Sequence, residues 1–140
     1  MQFLKLVIKS DDVMTQEIKK PIVHDLDFDL IFECSDSIRF VGMCTTHGQL
    51  LDAKYRNGIS PLLSDSGLQF SVMKSSIRHA TRLDPEGNLG KPEYSITSYE
   101  NVKRATIPID SHLLLLISFE KNTDEGDLMK KILEIIRYRS

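Results

Sequence analysis

Cys44 and His47 stand at C-x-x-H spacing, with Cys34, His24, His79 and His112 elsewhere in the chain. Thiolate and imidazole together are zinc chemistry, but a structural zinc site takes four ligands in paired clusters. No second pair is present, so the spacing reads as a strand cysteine beside a turn histidine, and no metal is expected. Nucleophilic catalysis has no better footing. There is no Gly-x-Ser-x-Gly turn to expose a serine, and neither cysteine lies in a recognisable nucleophile setting. Gly87-x-x-Gly90-Lys91 has the residue types of a phosphate cradle, yet it precedes a strand and lacks the required spacing. It reads as a flexible loop, and no cofactor is expected. What remains is a basic stripe. Lys74, Arg78 and Arg82 recur every four residues, on one side of a helix, and Lys103-Arg104 adds charge on a strand. Such a stripe meets an acidic partner surface or an anion; its ordinary reading is a solvated helix face. No aromatic residues interleave it, so nucleic acid is not expected. The reading is of a protein that is not an enzyme.

The elements that would position these residues follow from hydrophobic periodicity. Leu113-Leu114-Leu115-Leu116-Ile117 is an unbroken aliphatic run, extended by Ser118-Phe119 and closed by Glu120-Lys121-Asn122. Strands show alternate residues to opposite faces, so such a run implies a central strand covered on both sides. Before it, Tyr94–Tyr99 and Val102–Ile109 form a meander with it. The Tyr94–Tyr99 strand is the most polar and is expected at an edge. Upstream, 38–44 and 49–55 flank Thr45-Thr46-His47-Gly48 as a hairpin, with Gly48 at positive φ.

Three helices complete the pattern. Pro21 opens one in which Ile22, Leu26, Leu30 and Ile31 recur, with Asp25, Asp27 and Asp29 near its start. Ser60-Pro61 is expected to cap the middle helical region, which runs to about Leu83 with a break at Ser64-Asp65-Ser66-Gly67. There Phe70, Met73, Ile77 and Ala80 form the expected sheet-facing stripe, leaving Leu68 and Val72 on nearly the opposite side. The last helix starts near Asn122-Thr123-Asp124-Glu125 and buries Leu128, Met129, Ile132, Leu133, Ile135 and Ile136.

The expected fold is α+β: a three-layer α/β/α arrangement around a five-stranded antiparallel sheet. The first and last helices lie on one face and the middle helix on the other. Residues 1–20 read as an N-terminal extension and 21–140 as a single domain. Composition agrees, with 41% hydrophobic and 27% charged residues. A formal net charge of -2 gives no global pull toward nucleic acid or anionic lipid. No segment approaches the length of a membrane span, and the start lacks the long apolar core of a secretory signal. Two unpatterned cysteines suit a reducing compartment, so a cytoplasmic location is expected.

The order helix, strand, strand, helix, three strands, helix is similar to the topology of the roadblock family of small GTPase-regulating scaffold proteins. The resemblance covers roughly residues 22 to 138. It is carried by Ile38–Tyr55, the long middle helix, Val102-Lys103-Arg104-Ala105-Thr106-Ile107-Pro108-Ile109, and His112–Glu120 with the terminal helix. Phe40-Val41-Gly42-Met43, His47-Gly48 and Tyr55-Arg56-Asn57-Gly58 also resemble the first hairpin of archaeal roadblock-like proteins.

The resemblance implies a non-catalytic dimeric adaptor or regulator, with a small GTPase or other protein as partner. It implies pairing of two copies through the third strand and the middle helix. That places Tyr94, Ile96, Thr97 and Tyr99 in the interface, with Leu68 and Val72 as the apolar helix positions left without a sheet contact. Lys74, Arg78 and Arg82 become the partner or anion contact. Related profilin-like sheets hold small molecules, so the alternative is a small-molecule sensor or ligand-binding module. The departures from a minimal roadblock domain are the N-terminal extension and the Pro- and Gly-rich 84–92 loop.

Overall fold

A computed structural model describes residues 26–138. The element order is α1 (Phe28–Phe32), β1 (Ile38–Thr45), β2 (Leu50–Tyr55), α2 (Asp65–Arg82), β3 (Ser95–Ser98), β4 (Lys103–Pro108), β5 (Leu113–Phe119) and α3 (Glu125–Arg137). All five strands form one antiparallel sheet in the order β2-β1-β5-β4-β3. The leucine run is therefore its middle strand, and β3 is an edge, as the sequence predicts.

Side-chain alternation along β5 divides the core. Leu113, Leu115, Ile117 and Phe119 point into a larger cluster with Ile31, Phe32, Leu128, Met129 and Ile132 of α1 and α3. Leu114 and Leu116 point the other way, into a smaller cluster with Phe40, Cys44 and Val72 of α2. Burying one large aliphatic side chain stabilises by about 1.5–3 kcal/mol, so the α1/α3 face carries most of the fold's stability. On β1, Ile38 and Phe40 belong to opposite clusters although they are two apart. A register shift between them against β5 provides the extra turn of the chain.

Two helix starts differ from the sequence reading. The first helix was expected from Pro21; the described helix begins at Phe28, with the Asp27 carboxylate accepting from the Asp29 N–H at 2.9 Å. Residues 21–25, like the N-terminal extension read at 1–20, lie outside the described residues. The middle helix was expected to be capped by Ser60-Pro61. Ser64 takes that role instead, accepting from the Gly67 N–H at 3.1 Å, and residues 60–63 are not helical. Ser64 has both the hydroxyl and the extended backbone that an N-cap needs. For α3 the cap is Asp124, which accepts from the Asp127 N–H at 3.1 Å.

Arg56, just past β2, locks α1 to the sheet. Its guanidinium donates to the carbonyls of Ile38 (2.7 Å), Phe32 (2.9 Å) and Ser35 (2.7 Å), and it stacks over the Phe32 ring. Carbonyls at a helix C-terminus lack partners along the chain, and a planar cation satisfies several at once. At the other end of the hairpin, Gly48 adopts φ +89°, and a Cβ there would sit 3.3 Å from Met73 Cα. The turn thus lies against the α2 backbone, and glycine is required for both reasons.

Candidate functional site

The helix α2 turns its faces opposite to expectation. Val72 is 0% exposed and packs against Phe40, Cys44, Leu114 and Leu116, while Phe70, Met73 and Ile77 are 61%, 51% and 58% exposed. Ala80 is exposed as well. The side toward the sheet is instead Ser71, Ser75, Ser76 and His79 around Val72, all buried. Small side chains let the helix lie close to the sheet and to the Gly48 turn, which a stripe of Phe and Met would hold away. Val72 is therefore core and cannot form an interface in the folded chain, and Leu68 is half-buried against the same cluster.

The sheet-facing stripe is costly in polar terms. Ser76 Oγ donates back to the Met73 carbonyl at 2.8 Å, but the buried Ser71 Oγ has no hydrogen-bond partner among the described residues. Burial pushes the His79 imidazole below its ordinary range, and the Arg82 charge adds to the effect. Cys44 is buried beneath the helix, and burial pushes its thiol up to about 12, which holds it as an inert thiol at neutral pH. His47 is exposed on the turn. Among the described residues no group of three His, Cys, Asp or Glu side chains is placed to hold a metal ion.

On the outward side, the apolar stripe is flanked by the predicted cations. Lys74 lies over the Phe70 ring, 5.0 Å from its centroid, while Arg78 is half-buried and Arg82 exposed. Lys103 and Arg104, read together from sequence, diverge. Lys103 pairs with Glu125 of α3, and Arg104, one residue on, turns to the α2 side. Adjacent strand residues point to opposite faces, so the two cannot share a patch.

The two sheet edges are also unlike. Edge strand β2 carries Asp52 and Lys54, and Lys54 is paired with Asp29 at 2.7 Å. Charges of this kind protect an edge from pairing with another chain. Edge strand β3, Ser95-Ile96-Thr97-Ser98, carries none. Thr97 is exposed, Ile96 is half-buried against the larger cluster, and Tyr94 and Tyr99 flank the strand with their rings partly exposed.

A cavity of about 420 Å³ opens between the start of α2 and the sheet. Phe40, Leu62, Leu63 and Leu68 form apolar walls, and Tyr55 and Arg104 bring polar atoms to it. The Phe40 and Tyr55 rings are 4.9 Å apart and tilted by 53°. Of the residues singled out from sequence, the cavity brings Leu68 and Tyr99 together. Arg104 was read from sequence only as added charge beside the basic stripe, and Tyr55 was not singled out as a site residue. Only the β1–β2, β1–β5 and β4–β5 registers together, through Phe40 and Ser118, reveal that they face the same space.

Among the described residues no helix is long and apolar enough to cross a membrane. No protein-family model matches the chain, and no curated protein matches it. Solved structures do. A structure of MglB with a tetrameric arrangement is 14% identical, with TM-score 0.62, covering 78% of this chain and 81% of that one. The gliding protein MglB from Thermus thermophilus is likewise 14% identical at TM-score 0.62, covering 78% and 82%. A roadblock/LC7 domain from Streptomyces avermitilis is 10% identical at TM-score 0.60, covering 81% and 93%. At such identities the likeness is one of fold, and the chain has the roadblock/LC7 fold.

Proposed function

We propose that this protein is a non-catalytic regulator or adaptor that works as a homodimer in the cytoplasm, with a small GTPase as its partner. The observation that carries the reading is the outward face of α2. Phe70, Met73 and Ile77 form an exposed apolar stripe on a helix whose buried side is largely serine. Apolar residues recurring at helical spacing on a solvent face are the signature of a contact surface. The uncharged β3 edge supports pairing between copies, with Tyr94, Ile96, Thr97 and Tyr99 at the junction. Lys74, Arg78 and Arg82, beside the stripe, suit an acidic surface on the GTPase. The roadblock resemblance and the fold of the MglB structures support the same reading. The sensor alternative draws its support from the apolar cavity at the start of α2.

Sedimentation equilibrium at micromolar concentration tests the dimer. The wild type is expected to sediment as a dimer, and Ile77→Asp as a folded monomer with stability unchanged to within about 0.5 kcal/mol. A wild-type monomer at that concentration, or a dimer undisturbed by Ile77→Asp, rejects the interface. For the partner, a pull-down from the native cytoplasm is expected to retain a GTPase that the Lys74→Glu, Arg78→Glu double variant loses. Equal retention removes the basic stripe from the proposal.

A further inference from the structure

We propose that the cavity at the start of α2 binds a small amphipathic anion, an organic carboxylate with an apolar body. Its volume, about 420 Å³, falls within the roughly 300–1,000 Å³ of small-molecule sites. Such sites are mostly apolar, with a few convergent polar groups that fix orientation. Phe40, Leu62, Leu63 and Leu68 supply the apolar walls.

The polar groups decide the charge of the ligand. Two arginines line the cavity, and they differ. Arg39 is neutralised by Glu120 at 3.0 Å and also donates to the Ser60 carbonyl at 3.3 Å. Arg104 is half-buried and, among the described residues, makes neither an ion pair nor a hydrogen bond; its guanidinium lies 6.0 Å from the Tyr99 ring centroid. The Tyr55 hydroxyl is likewise without a hydrogen-bond partner among the described residues. Both groups line the same cavity; burial and the Asp65 carboxylate push the Tyr55 phenol above its ordinary range, and the Arg104 charge pulls the other way. The Arg104 guanidinium offers donors only, and the Tyr55 phenol, which can also accept, adds an O–H to the same apolar space. A carboxylate accepts from both, and charge-assisted bonds of this kind are the strong ones. Glu100 also lines the cavity, but it is exposed, where water and salt screen its repulsion.

Every residue the inference uses comes from one copy, although Tyr99, at the cavity rim, also flanks the strand proposed to pair copies. Isothermal titration of the full chain with decanoate and with decanol, both as monomers in solution, separates the anionic head from the apolar tail. Decanoate is expected to bind saturably at one per chain, with decanol weaker by about tenfold or more. Arg104→Met is expected to lower decanoate affinity by about the same factor and leave decanol unchanged. Leu63→Trp, at a partly exposed wall outside the helices and strands, is expected to fill the cavity and abolish both. The Ile77→Asp chain is expected to bind decanoate as the wild type does, whatever its oligomeric state. Equal affinity for decanoate and decanol overturns the proposal, as does an Arg104→Met chain that folds and binds decanoate undiminished. So does a site filled by a second copy in a crystal grown with decanoate.

Discussion

The two faces of the sheet are built on different rules. Against α1 and α3, strands and helices meet through large aliphatic and aromatic side chains: Ile31, Ile38, Ile107, Leu115, Phe119, Met129 and Ile132 are all fully buried. Against α2, the helix contributes Val72 and a stripe of serines with one histidine, and its Phe, Met and Ile residues look outward. An amphipathic helix normally buries its apolar side. The difference teaches that one face specifies the fold, while the other trades internal packing for an apolar surface held in the open.

That contrast is open to attack from both sides. The largest effect is expected on the dense face, where Leu115→Ala leaves a cavity and costs about 2–5 kcal/mol in urea unfolding. Val72→Ala, under α2, removes two methyl groups and is expected to cost roughly 2 kcal/mol. A Val72→Ala cost near zero would mean that α2 is not held by this contact at all. Ser71→Ala goes the other way. Its hydroxyl is buried without a partner among the described residues, so replacing it is expected to raise stability by about 1 kcal/mol. A loss would reveal a bond that holds the serine in place.

The smallest effect is one of pH. Burial holds His79 neutral in the folded chain to lower pH than in the unfolded chain. As pH falls through the ordinary histidine range, the unfolded state takes up the proton first, so stability is full above that range and declines below it. Protection factors for α2 amides are expected to fall between about pH 7.5 and pH 5.5, relative to those of β5, and the change to vanish in His79→Gln. Uniform loss of protection in both elements would place the titration elsewhere.

Much of the fold is legible in the sequence because it rests on local periodicity. An unbroken run for β5, alternation for β4 and a three-to-four repeat for α3 each name an element and a face. Gly48 and Asp124 add turn and cap chemistry with few alternatives. The α2 orientation was misread for a physical reason. The moment points to Phe70, Met73 and Ile77, but the approach of the Gly48 turn favours the side with small residues. The spacing of Ser71, Ser75 and Ser76 was the available signal. Ser60-Pro61 resembles a helix start, yet four residues later Ser64 has a free glycine N–H to accept from. The cavity left no local trace, because Tyr55 and Arg104 meet only through strand pairings distant in sequence.

The position of β5 has a consequence for how the chain is made. Its neighbours are β1, 76 residues earlier at the Val41–Ile117 pair, and β4, which directly precedes it. During synthesis the β1–β2 hairpin therefore emerges with Val41, Met43 and Cys44 exposed and one edge of β1 unpaired. It stays so until the leucine run leaves the ribosome. Long-range pairing of this kind slows folding and prolongs the exposure of sticky strands. The last strand to be synthesised is the one that closes the sheet, so a chain stalled before Leu113 has no native state to reach.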